Sequence, residues 1–444
     1  MVCTPLARGR REAVTTLIPP VASPVDAARS GRTDGRPAGR LRVLFFVEGF
    51  TDIRFVAGLS EICDLTMAVP ARAYEESTLK ARVAESGARL TVHEIAGSRH
   101  AFQVRSLAYL WKAATEFDVI LSQEVLRGSL NATVVGALCG VPVVTTMAIS
   151  PVEYFRCRRE RGQMGAAAAW AGESVIRLLM AINGRLATRC LALGPYLCEV
   201  AARACPRTDM GYYYGVDVDL FRPADDEDRA RLRQQLDLPS DSFLIVLASR
   251  ISHEKDPETV LEAVALARAQ GLDATLLNLG GGYEEFMALA RSLDLPDADR
   301  WVLGRPAAHP MRDLADYFRT ADLLVQGSLA EGLGLSPLEA LACDTPVVAT
   351  DVGGMAAHLA PYARLTPRRN AQAMAQAILS IAHNPAAART QARRGREYVG
   401  REWSRDRAFR ELDRVLNEVA DSKRQPSGAL SPALTRPVET KGGT

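Results

Sequence analysis

A chain of 444 residues is too long for one ordinary domain and suits two or three. Hydrophobic residues at 48% and charged residues at 24% lie near the globular average, which excludes a collagen-like or mostly disordered chain. With 54 Lys and Arg against 52 Asp and Glu, the net charge of +2 gives no global drive toward nucleic acid, and no nucleic-acid partner is expected.

The first forty residues carry Gly9-Arg10-Arg11, Pro19-Pro20 and Arg29-Ser30-Gly31-Arg32 with no apolar period. They read as a disordered extension spanning 1–40, with an Arg-rich leader as the alternative. Order begins at Arg42-Val43-Leu44-Phe45-Phe46-Val47, an apolar run that suits a strand buried on both faces. Further short strands are expected at Leu65–Val69, Leu90–Ile95, Asp118–Ser122, Pro142–Thr146 and Leu191–Leu193, with helical stretches between them. A polar linker is expected around Pro223 to Asp241. The series then restarts with strands at Phe243–Ala248, Ala274–Leu279, Trp301–Leu303, Leu323–Val325 and Pro346–Ala349. Strands alternating with helices imply parallel βαβ units. The expectation is an α/β chain of two Rossmann-like doubly wound domains, 41–215 and 216–420, facing a central cleft, with a disordered tail at 421–444. Ligands of such folds bind beyond the carboxyl ends of the strands.

No apolar run reaches the roughly 18 residues a membrane-spanning helix needs. The eight cysteines are scattered without a CxxC pair, which argues against a zinc ribbon or a disulfide framework and suits a reducing cytoplasm.

The most informative stretch runs from Glu331 through Gly332, Gly334, Leu335, Ser336 and Pro337 to Glu339. It follows a strand and opens a helix. Ser336 suits the N-cap and Pro337 the first helical position, so a capping box through Glu339 is one reading. The other is an anion site, where glycines admit a ligand and the helix N-terminus meets a phosphate. Arg250 and Lys255 share a loop after the first strand of the second unit, where two cations suit a diphosphate. Gly281, in the triple glycine 280–282, ends a strand and suits either a tight turn or room for a nucleotide, and Gly304-Arg305 ends another strand and suits backbone contact with a base.

Together these segments resemble the GT-B glycosyltransferases, specifically the retaining GT4-type family (glycosyl transferases group 1), from about Arg42 to Glu418. Glu331 and Glu339 match its Glu-x7-Glu pair, Arg250 and Lys255 its phosphate-binding cations, and Gly215-Val216-Asp217 its interdomain segment. Thr345–Thr350 and Val352-Gly353-Gly354 match the strand and loop that follow. The resemblance implies a retaining, metal-independent transfer of a sugar from a nucleotide diphosphate sugar, UDP- or GDP-linked, to a hydroxyl acceptor. It places Glu331 on the donor sugar, Glu339 on the ribose, and the amides of Gly334, Leu335 and Ser336 on the distal phosphate. Arg250 and Lys255 would steady the leaving diphosphate.

The chain departs from the family where many relatives carry a His after the strand matched by Val143–Thr146; here Met147-Ala148 stands. That departure keeps a non-catalytic nucleotide-sugar-binding partner subunit as an alternative, beside an epimerase on the same fold. For the acceptor, Gly49 and Thr51 at the end of the first strand are candidate close-approach residues. Glu153, Tyr154, Arg156, Arg158 and Arg159 form an expected cation-rich loop that suits a phosphorylated or lipid-linked acceptor, or merely solvent. The helical stretch Trp170–Leu186 has an apolar stripe at Val175, Ile176, Leu179 and Ile182 that suits the domain core, with a membrane surface as the alternative.

Overall fold

The computed structural model describes residues 40–49, 51–160, 162 and 165–422. Apart from Arg40, Asp421 and Ser422, the expected extension and tail lie outside the described residues. Two parallel sheets carry the fold. The first contains β1 (Arg42–Phe46), β2 (Asp64–Pro70), β3 (Leu90–Ile95), β4 (Val119–Gln123), β5 (Val143–Met147), β6 (Arg189–Leu193) and β7 (Thr208–Gly211) in the order 3-2-1-4-5-6-7. The second contains β8 (Phe243–Leu247), β9 (Ala274–Leu279), β10 (Val302–Arg305), β11 (Leu323–Gln326), β12 (Val347–Thr350) and β13 (Arg364–Thr366) in the order 10-9-8-11-12-13. Both orders reverse beside their first strand, the doubly wound arrangement expected from the sequence. Every expected strand is present. The two extra ones, β7 and β13, are short sheet edges.

Alternate residues of each strand feed opposite layers. From β1, Val43 and Phe45 join Phe55, Val56 and Leu59 of the helix Ile53–Ile62. Leu44 and Phe46 join Phe102 and Leu110 of the helix Arg99–Ala113 on the other face. In the second sheet, Ile245 and Leu247 face the helices Pro257–Ala269 and Ala371–His383. Leu244 and Val246 belong to a core that continues into the first domain through Leu193 and Leu197. The two domains therefore share buried apolar surface.

Two expectations are corrected here. The supposed linker contains the helix Asp226–Gln235, capped by Asp225, whose side chain accepts from the Asp228 amide at 2.8 Å. Its sequence looks like a linker because Ala230 and Leu232 are the only apolar residues among its ten. It is held by Arg229 and Arg233, which both reach Asp322, Arg233 at 2.7 Å. The end of the expected second domain also returns to the first: Phe409, Leu412, Val415 and Leu416 of the helix Arg405–Ser422 lie in the first domain's core. A methyl group on Gly58 would sit 2.1 Å from the Phe409 ring, so helix and ring fit only a bare glycine.

Phe409 is 4% exposed and packs on Phe55 with ring centroids 6.3 Å apart. Phe409→Ala is expected to lower stability by about 3–5 kcal/mol through cavity formation. A lower urea midpoint at unchanged slope would show it, and a wild-type midpoint would refute this packing.

Candidate functional site

The carboxyl ends of both sheets face one cleft. A cavity of about 200 Å³ lies there, lined by Arg250, Lys255, Gln326, Glu331, Gly334, Leu335 and Ser336 from the second domain and by Ala148, Leu193 and Tyr213 from the first. Six residues singled out in the sequence thus meet around one space. Glu339, Gly281, Gly304, Arg305, Gly49 and Thr51 do not line it.

The loop after β11 enters the helix Leu335–Ala342 through Gly334, which adopts φ 88° as the N-cap. A side chain is strained there, and glycine is not. The capping box is therefore not formed. Ser336 lies inside the helix, and its hydroxyl donates to the Ala248 carbonyl at 3.2 Å, pinning the helix start to the end of β8. At Gly332 the constraint is space: an added methyl would sit 2.2 Å from the Ala148 carbonyl of the opposite domain. The loop can approach the first domain this closely only without a side chain.

Lys255 Nζ donates to Glu331 Oε2 at 2.6 Å across the cavity wall, with both side chains mostly buried. Gln326 Nε2 at 2.8 Å and Ser328 Oγ at 3.2 Å donate to the same oxygen. Glu331 is thus held in one orientation by three donors. Arg250 is mostly exposed, and Nη2 meets Glu254 Oε1 at 2.8 Å. Burial alone would raise the Glu254 carboxyl, yet its hydrogen bonds and the nearby Arg250 and Lys255 charges hold it below its ordinary value. Two cations and a helix N-terminus converge here, an arrangement that attracts an anion.

Glu339 is buried at 1% exposure and turns the other way. Its Oε1 meets Arg54 Nη1 of the first domain. Arg54 also donates through Nε and Nη2 to Asp52 at 3.0 and 2.8 Å and to the Tyr214 hydroxyl at 2.7 Å. Its guanidinium stacks 4.1 Å from the Tyr214 ring centroid. One cation thus serves two carboxylates. Burial would raise Asp52, but the Arg54 charge and hydrogen bonds outweigh it and lower that carboxyl. For Glu339 burial prevails over the pull of Arg54, the Asp52 charge adds to it, and the carboxyl is pushed up to about 7.

The remaining candidates lie apart. Gly281 is exposed, and its carbonyl accepts from the Ile251 amide at 3.0 Å. Its neighbour Gly280 is the cramped one, where a methyl would sit 1.9 Å from the Ser249 carbonyl. Gly304 packs against Met287, and Arg305 points to the Asp237 carbonyl at 2.8 Å. Gly49 is exposed with open space around it, and Thr51 is buried at 1% exposure. The expected cation-rich loop is instead the helix Pro151–Glu160, with Arg156 tied to Glu173 at 2.6 Å. Asp217, read as interdomain, accepts from the Asp219 and Leu220 amides at 3.2 and 3.1 Å.

Sequence reasoning missed Gln326 and Ser328, whose only local signal is a polar residue ending the buried strand β11. It missed Arg54 and Tyr214 altogether.

Residues 228–398 match the family model described as "Glycosyl transferases group 1". D-inositol 3-phosphate glycosyltransferase 1 of Catenulispora acidiphila is 33% identical over 258 residues, 56% of this chain and 59% of that protein. The D-inositol 3-phosphate glycosyltransferase of an Arthrobacter species is 39% identical over 145 residues, 32% and 33% of the two chains. The matched part therefore spans less than two thirds of each relative's length. Among solved structures, Anabaena HepE in complex with UDP-glucose aligns with a TM-score of 0.69 at 17% identity, over 85% of this chain and 100% of that one. Sucrose-phosphate synthase from Thermosynechococcus elongatus aligns at 0.67 and 19% identity, over 86% and 100%. Both share the arrangement of two facing Rossmann-like domains, the GT-B fold.

Proposed function

We propose that this chain, whose residues 228–398 belong to the glycosyl transferases group 1 family, moves a sugar from a nucleotide diphosphate sugar to a hydroxyl acceptor with retention of configuration and without a bound metal. The observation that carries the reading is the cavity where Arg250, the Lys255–Glu331 pair and the start of the helix Leu335–Ala342 converge. In the proposed reaction the bond from the sugar's anomeric carbon to the diphosphate oxygen breaks, and its electron pair stays on the diphosphate. Arg250, Lys255 and the helix amides meet that charge where it grows. The acceptor oxygen bonds to the anomeric carbon on the same face, and its proton passes to the departing phosphate oxygen. Glu331, oriented by Lys255, Gln326 and Ser328, contacts the sugar hydroxyls. A ribose contact by Glu339 requires the Arg54 pair to open. UDP-sugars are the first donors to try, since HepE was solved with UDP-glucose. The relatives' names point to a phosphorylated cyclitol as the first acceptor.

A second reading is a nucleotide-sugar-binding subunit that does not turn over. Ala148 favours it, because that residue lines the cavity and stands where the family resemblance implies a His.

Calorimetric titration with UDP, GDP and ADP, each with magnesium and with EDTA, tests the donor site. One diphosphate is expected to bind in both media. Arg250→Ala is expected to weaken it about tenfold, one lost charged hydrogen bond. Binding of none would sink the proposal. Binding without nucleotide release in the presence of acceptors would favour the subunit.

A further inference from the structure

The helices Arg99–Ala113, Arg127–Cys139 and Ala166–Leu186 pack side by side over one face of the first sheet. Their inner residues close the core there, Phe102, Leu110, Ala132 and Val135 among them. Their outer residues are apolar as well. Val104 is 71% exposed, Trp111 60%, Leu138 69%, Trp170 74% and Leu178 60%, with Leu107 beside them. Val175, expected to share a buried stripe with Ile176 and Leu179, is exposed too. Apolar patches left exposed in this way mark interaction sites.

Charge selects the partner. Apart from Arg127, which is tied to Glu48 at 3.1 Å, the three helices carry Arg99, Arg105, Lys112, Arg177 and Arg185 against one carboxylate, Glu173. That carboxylate is already tied to Arg156 and Arg177. The whole chain is almost neutral, so this excess is local. Exposed tryptophans among aliphatic residues and flanking cations suit the boundary between lipid headgroups and acyl chains. No helix among the described residues is long and apolar enough to cross a membrane.

We propose that this three-helix face docks on the surface of an anionic phospholipid bilayer, with Trp111 and Trp170 as its interfacial anchors. The helix Ala166–Leu186 starts on the cleft side, since it follows the helix Pro151–Glu160 that leaves the carboxyl end of β5. Trp170 therefore brings the cleft toward the lipid, where a lipid-linked acceptor could reach it. The docking surface does not depend on the donor-site reading, whose residues lie elsewhere.

Two of the chain's four tryptophans, Trp301 and Trp403, are buried at 2% exposure, so the exposed pair reports on its own environment. The full chain is mixed with vesicles of phosphatidylcholine alone or of phosphatidylcholine with phosphatidylglycerol. The expected result is a blue shift of tryptophan emission and co-sedimentation with the anionic vesicles only, both weakened by salt. The double variant Trp111→Ser/Trp170→Ser should lose at least about tenfold in vesicle binding, because two interfacial anchors are gone. Its thermal unfolding and nucleotide diphosphate affinity should match wild type. Equal vesicle binding by variant and wild type overturns the proposal. So does an absence of binding to anionic vesicles, or a wild-type dimer that the variant dissolves, which would assign the face to a second copy.

Discussion

Lys255→Ala is expected to slow the proposed sugar transfer by about 10²–10³-fold, the typical loss when one preorganised donor to a developing anion is removed. Its amine stands 2.6 Å from Glu331 Oε2 inside a mostly buried cavity wall. Removal acts twice. The leaving diphosphate loses a cation, and Glu331 keeps only the neutral donors Gln326 and Ser328, so its charge opposes the phosphates. Single-turnover nucleotide release from a UDP-sugar measures the effect, with circular dichroism as the check that the fold survives. Wild-type turnover in Lys255→Ala would end its assigned role. Glu331→Gln separates the two contributions, since it preserves shape and keeps Lys255 available to the phosphate. A smaller loss in Glu331→Gln than in Lys255→Ala is the expected order.

The other large effect concerns stability. Arg54→Met is expected to cost about 3–5 kcal/mol, the penalty for leaving a buried ion pair without one partner. Here two carboxylates, Asp52 and Glu339, would share that fate. Urea unfolding at neutral pH measures it, and an unchanged midpoint would show that the guanidinium is dispensable to the domain contact. The pH dependence has a sign. The folded Glu339 carboxyl is raised from 4.5 to about 7, so its contribution to stability is full below pH 4.5 and is lost as pH rises through about 7. Asp52 is lowered, so its contribution is present above its ordinary value of 3.8 and is lost as pH falls. Glu339→Gln should therefore gain on wild type between pH 4.5 and 7, at no more than about 1.4 kcal/mol per pH unit. A constant difference across that window would contradict the raised carboxyl.

The fold was largely legible because its strands are buried on both faces and read as short apolar runs between helical stretches. Edge strands escaped that signal: β7 and β13 have only four and three residues, and little apolar content. The helix Asp226–Gln235 escaped it for another reason. Its stability comes from Arg229 and Arg233 reaching Asp322 about ninety residues away, which no local period records. The place of the helix Arg405–Ser422 on the first domain depends on how Phe409 meets Gly58, which no local period records.

At the cleft the same division holds. Repeats of two and of about three and a half residues are properties of a neighbourhood in the chain, and they placed Arg250, Lys255, Glu331 and Ser336 at strand ends and a helix start. Chemical type then marked them as an anion site. Whether Glu339 caps its own helix was a choice between near and distant partners, and only tertiary structure made it. Gly334 takes the cap through a positive φ, and Arg54, 285 positions away, claims the carboxylate. An ion pair across two domains depends on the packing that brings the domains together. Ranking Arg54 above any other arginine of this chain therefore required the folded molecule.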